Sequence, residues 1–141
     1  MRIVSKSIEI RAPAARVWQV LTDFVAYPEW NPFMLSVSGT LVVGKKLAVQ
    51  IKPPGGKEMA FKPTLVAIEP DRELRWLGRL VLPGIFDGEH RFELTARNGV
   101  TRFEQSERFS GILVGLLGST FEKTERGFAA MNEALKQRAE S

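Results

Sequence analysis

Apolar and polar residues alternate with a period of two over "RIVSKSIEI", Arg2 to Ile10, which predicts a half-buried strand. Pro13 follows where the first residue of a helix tolerates it, since the missing N–H would have no intrahelical partner there. Val17, Leu21 and Phe24 recur at helical spacing beside Ala14 and Trp18, predicting a short amphipathic helix from Pro13 to about Thr22. Pro28 and Pro32 forbid its smooth continuation, so "YPEWNP" is a broken turn or second short helix.

From Phe33 to Gly111 the period returns to two. Strands are predicted at Met34–Thr40, Lys45–Lys52, Lys57–Glu69, Glu73–Val81, Ile85–Arg97 and Val100–Ser110. Between them stand Val43-Gly44, Pro53-Pro54-Gly55-Gly56, Pro70-Asp71, Pro83-Gly84 and Asn98-Gly99, and Asn-Gly is the strongest hairpin signal of the set. With the first strand this makes one antiparallel sheet of seven. Leu117, Phe121, Thr124, Phe128, Met131 and Leu135 then alternate spacings of four and three, with a capping-box pattern at Ser119 and Glu122. One long helix therefore closes the chain, to about Arg138, starting near Ile112 if Gly115 and Gly118 are tolerated.

A twisted antiparallel sheet must cover its apolar face, and the terminal helix is the element long enough to do so. The expected class is α+β: a curved seven-stranded sheet gripping the C-terminal helix, with two short helices between strands 1 and 2. A straight helix cannot fill every part of such a sheet, and an unfilled void usually holds a guest.

At 141 residues the chain suits one domain, with 44% apolar and 26% charged residues in the ordinary globular range. Its net charge of +4 comes from twenty basic and sixteen acidic residues interspersed without a stripe of one sign, so a nucleic-acid partner is not expected. Cysteine is absent, which excludes disulfides and thiolate chemistry and makes the cytoplasm the simplest compartment. The N-terminal segment lacks the apolar core of a signal peptide, and "GILVGLLG", Gly111–Gly118, falls short of the roughly 20 residues that span a bilayer. One histidine leaves carboxylates as the remaining metal ligands, so no metal or other cofactor is expected. No phosphate-binding or nucleophile-elbow motif occurs.

If Asn98 and Gly99 form a two-residue turn, Arg97 faces Val100 and the later pairs follow. Phe103 meets Leu94, Gln105 meets Phe92, Glu107 meets His90 and Phe109 meets Gly88. The other parity, including Glu89, Arg91, Glu93, Arg102, Glu104 and Arg108, is plainly a water-facing surface. The one histidine is thus expected indoors, opposite Glu107 and near Gln105, with Trp76 of the preceding strand beside it. Polar groups on an apolar face must find partners, so these should form a hydrogen-bonded cluster.

"IRAPAARVWQVLTDFVAYPEWNPF", "EPDRELRW", "FDGEHRFEL", "TRFEQSERFSGIL" and "GFAAMNEALKQRAE" together cover nearly the whole chain. In their order and spacing the sequence resembles the START-like (SRPBCC) helix-grip superfamily, which includes birch-pollen-allergen-like proteins, and particularly its polyketide cyclase/dehydrase and lipid-transport branch. The resemblance implies the fold. Its members include carriers, cyclases and proteins of no known activity, so the reaction is not implied.

The leading expectation is a single binding domain over residues 1–141, monomer or homodimer, that takes a small hydrophobic molecule between sheet and helix. Met59, Phe61, Trp76, Phe92 and Phe103 would form apolar walls, and His90, Gln105 and Glu107 polar anchors. Trp30 and Phe33 are placed at the rim. Thr124, with Thr120, Gly127 and Met131, makes a strip of small side chains where sheet or ligand approaches closely. An enzyme of cyclase or dehydratase type would use His90 and Glu107 as its acid–base pair; a structural ion pair pinning two strands is the plainer alternative. A module docking a protein through "GILVGLLG" is a third reading.

Overall fold

The computed structural model describes residues 1–80, 84 and 86–141. The chain runs through β1 (Arg2–Ile10), α1 (Ala14–Thr22), a 3-10 turn (Phe24–Ala26), α2 (Tyr27–Trp30), β2 (Met34–Ser38), β3 (Ala48–Ile51) and β4 (Met59–Phe61). It continues through β5 (Thr64–Glu69), β6 (Glu73–Leu80), β7 (Phe86–Arg97), β8 (Val100–Ser110), a second 3-10 turn (Val114–Leu116) and α3 (Gly118–Glu140). The strand ends expected at Val81 and Ile85, and Pro83 of the turn between them, lie outside the described residues.

Asn98 and Gly99 both take positive φ, 53° and 78°, as a two-residue turn requires if its twist is to match the strands it joins. The register of β7 and β8 follows from it: His90 stands opposite Glu107, Phe92 opposite Gln105 and Leu94 opposite Phe103. Across the other edge of β7, Trp76 of β6 is the partner of His90.

Eight strands are present among the described residues, not seven, and they divide into two sheets. One has the order β1-β8-β7-β6-β5 and the other β2-β3-β4, all pairs antiparallel. The span expected as one strand from Lys57 to Glu69 is broken at Pro63, which has no N–H to give a ladder. The two sheets meet where residues 44–47 run beside 63–65: Gly44 N donates to Leu65 O at 2.8 Å, and Leu47 N to Pro63 O at 2.9 Å.

α3 packs on β1, β8 and α1. Its buried stripe holds Phe121, Thr124, Gly127, Phe128, Met131, Asn132, Leu135 and Ala139. The capping box expected at Ser119 and Glu122 does not form, because the helix already begins at Gly118 and places Ser119 inside its first turn. At the far end the Arg16 guanidinium donates to the carbonyls of Arg138 and Ala139 at 3.2 and 3.4 Å, supplying the positive charge a helix C-terminus favours.

Phe33 explains the glycine in the middle of α3. The Asn31 side chain accepts from the backbone N–H of Phe33 and Met34 at 3.0 and 2.8 Å, fixing the start of β2. The Phe33 ring then lies where a Cβ on Gly127 would stand 2.5 Å from its Cδ1. Close approach is what Gly127 permits, and the approaching group is a ring of the protein itself.

Candidate functional site

His90 sits on β7 with aromatic rings on three sides. Its ring centroid is 5.4 Å from Trp76, 4.5 Å from Phe92 and 4.9 Å from Phe128 of α3. The residue is 2% exposed, so both ring nitrogens need partners inside the protein. They have them: Nδ1 lies 3.3 Å from Glu107 Oε1 and Nε2 lies 2.8 Å from Gln105 Oε1. Gln105 Nε2 donates in turn to Asn132 Oδ1 at 2.9 Å, and Asn132 Nδ2 to the Lys6 carbonyl at 3.1 Å. A polar chain thus crosses the core from β1 through α3 to β8 and β7.

Glu107 stands at the end of that chain and lines a cavity. The other walls are Phe33, Ile51, Met59 and Phe61 on one side and Phe86, Phe109, Thr120 and Thr124 on the other. Gly88 leaves room for the carboxylate, because a Cβ there would collide with Glu107 Oε2. Met59, Ala60 and Arg79, which also line the cavity, are exposed and mark its open side. The volume is about 110 Å³, near the roughly 150 Å³ of an apolar cavity that holds one benzene. One ring fits.

The residues expected at the site divide into two groups. Phe33, Met59, Phe61, Glu107 and Thr124 line the cavity. Trp76, His90, Phe92, Phe103 and Gln105 do not; they are buried behind Glu107, where packed rings leave no room for a guest. Trp30 lies away from the cavity, its ring 5.1 Å from Tyr27 in a cleft shared with Arg16 and Arg138, because α2 turns it toward the end of α3. Tyr27 is core, with its hydroxyl donating to the Leu21 carbonyl, and burial followed by the charge of Asp23 pushes its phenol well above the ordinary value. In "GILVGLLG", Ile112 and Leu116 are exposed.

Asn132 and Gly88 belong to the arrangement and were not anticipated. Asn132 carries a legible signal: it falls four residues after Phe128 and three before Leu135, a polar residue in an apolar stripe. Gly88 carries none, since its role depends on where the Glu107 carboxylate turns. Among the described residues no cluster of side chains could hold a metal, and no helix is long and apolar enough to cross a membrane.

The amino-acid sequence matches a known family model over residues 1–140. The chain belongs to the polyketide cyclase/dehydrase and lipid transport family. No curated protein matches it in sequence. Solved structures similar to this family member include Zhui aromatase/cyclase from a Streptomyces species, with a TM-score of 0.76 at 18% identity, covering 99% of this chain and 93% of that one. Protein MLL2253 from Mesorhizobium loti gives 0.75 at 21% identity over 96% and 95% of the two chains. Ara h 8.0201 gives 0.68 at 14% identity over 98% and 97%. At these identities the likeness establishes the shared helix-grip fold.

Proposed function

We propose that this family member binds a small hydrophobic molecule between its sheet and α3, with the apolar body in the cavity and a polar group at Glu107. The composition of the walls carries this reading: rings and aliphatic side chains, with Thr120, Thr124 and Arg79 among them, surround the Glu107 carboxylate, the pattern in which apolar contact supplies affinity and a few polar groups fix orientation. A guest larger than one ring extends past Met59 and Arg79 into solvent. Native mass spectrometry of the chain with single-ring phenols tests the reading. The expected result is a one-to-one complex lost when Thr124→Trp fills the cavity; absence of any complex removes it.

The contact between Glu107 and His90 favours a second reading, an enzyme of cyclase or dehydratase type, which the family description and the aromatase/cyclase with the same fold both support. In it Glu107 is the catalytic group, because it faces the cavity, and His90 acts through it as proton partner from behind. A Glu107→Gln variant should then keep ligand binding and lose turnover of an enolisable aromatic precursor. Full turnover in that variant would rule the enzyme out.

A further inference from the structure

The Lys6 carbonyl can only accept a hydrogen bond, so the Asn132 group 3.1 Å from it is the amide nitrogen. That orientation turns Asn132 Oδ1 toward Gln105, and the Gln105 atom 2.9 Å away is therefore its own amide nitrogen. Gln105 Oε1 is left facing His90 Nε2 at 2.8 Å. An amide oxygen only accepts, so Nε2 carries a proton. The second ring nitrogen, Nδ1, faces Glu107 Oε1 at 3.3 Å. A bare Nδ1 against a bare carboxylate oxygen would set two acceptors face to face, so a proton lies between them, on one atom or the other.

Both arrangements leave Glu107 Oε2 without a proton. Oε2 makes no hydrogen bond among the described residues, the Glu107 side chain keeps 17% of its surface exposed, and the missing side chain of Gly88 keeps the space beside it open. It can accept and cannot donate.

We infer that Asn132 and Gln105 hold a proton on His90 Nε2, and that the guest of this cavity is a molecule with a hydroxyl on an apolar body that donates to Glu107 Oε2. The inference rests on the ligand-binding reading above and adds to it the chemistry of the polar end. Alcohols and phenols satisfy Oε2; ethers, ketones and carboxylates of the same shape bring a second acceptor to it and, by displacing the water it would otherwise meet, leave it unpaired. Asn132 and Gln105 are positioning residues, acting on the His90 imidazole.

Two measurements test this, one with no ligand present. The chain has one histidine, so ¹⁵N-labelled protein at neutral pH yields one imidazole spectrum. The expected spectrum shows a proton on Nε2, and Asn132→Leu, which frees the Gln105 amide to rotate, should change it. A wild-type imidazole protonated on Nδ1 alone, or a folded Asn132→Leu protein with an unchanged spectrum, overturns the relay. Calorimetry with para-ethylphenol and para-ethylanisole then reads the donor rule. Wild type should prefer the phenol by about tenfold, the worth of one hydrogen bond to the carboxyl oxygen, and Glu107→Leu should lose most of that preference. Equal binding of the two probes by wild type overturns the donor rule and leaves the ligand-binding reading standing; binding of neither removes both, whatever the imidazole spectrum shows.

Discussion

Gly127 is the residue whose substitution weighs two effects most directly. Alanine would gain about 1 kcal/mol in helix propensity over glycine, yet its Cβ would meet the Phe33 ring at 2.5 Å, and overpacking of a filled core costs roughly 1 to 3 kcal/mol. Strain wins. Gly127→Ala should therefore lower the urea midpoint, and adding Phe33→Leu should recover part of the loss; an unchanged midpoint in the single variant would contradict the packing. Gly88→Ala acts differently, pushing the Glu107 carboxylate off its position, so it should weaken phenol binding about tenfold or more and, by taking the partner from His90 Nδ1, also lower stability. At this scale the sequence was legible where a residue's face alone decided its fate. His90, Gln105 and Glu107 followed from parity, whereas the separation of Glu107 from the rings behind it depended on how side-chain volumes filled the interior.

Among the elements, the β7–β8 hairpin was legible to the residue because two independent signals agreed, a turn dipeptide that accepts positive φ and a period of two on either side. Asn98→Val tests the first signal. A β-branched residue held in the left-handed region costs roughly 1 to 2 kcal/mol, so the variant should melt earlier with its far-ultraviolet dichroism otherwise unchanged; equal melting would mean that the turn does not need its asparagine. The β4–β5 break was also written in the sequence, as Pro63, and a strand through it should not have been expected. The start of α3 was not: Ser119 and Glu122 matched a capping box, but apolar packing at Leu117 and Phe121 set the boundary instead.

For the whole molecule, the pairing of two sheets through residues 44–47 and 63–65 was beyond period and turn chemistry, since it depends on contacts between segments that alternate poorly. Two global predictions do follow. A ligand present at a hundred times its dissociation constant adds about 2.7 kcal/mol to stability, so a bound phenol should raise the melting temperature of wild type and not of Thr124→Trp. The one tyrosine of the chain, Tyr27, is buried with its phenol shifted upward. Because the shift is upward, its contribution to stability is complete below the ordinary value of 10.0 and is lost as pH rises from there toward the folded-state value. The phenolate absorbance band should consequently appear together with unfolding; a reversible rise near the ordinary value in folded protein would show that the ring is accessible.

Trp76 lies with its indole 5.4 Å from the His90 imidazole and almost no surface in water. Indole emission follows the surroundings of the ring, so this tryptophan gives the protein a built-in lamp beside the imidazole. Trp18 and Trp30 are only partly buried and should emit further to the red, so the blue edge of the spectrum should report on Trp76, without dye or label, as each probe enters.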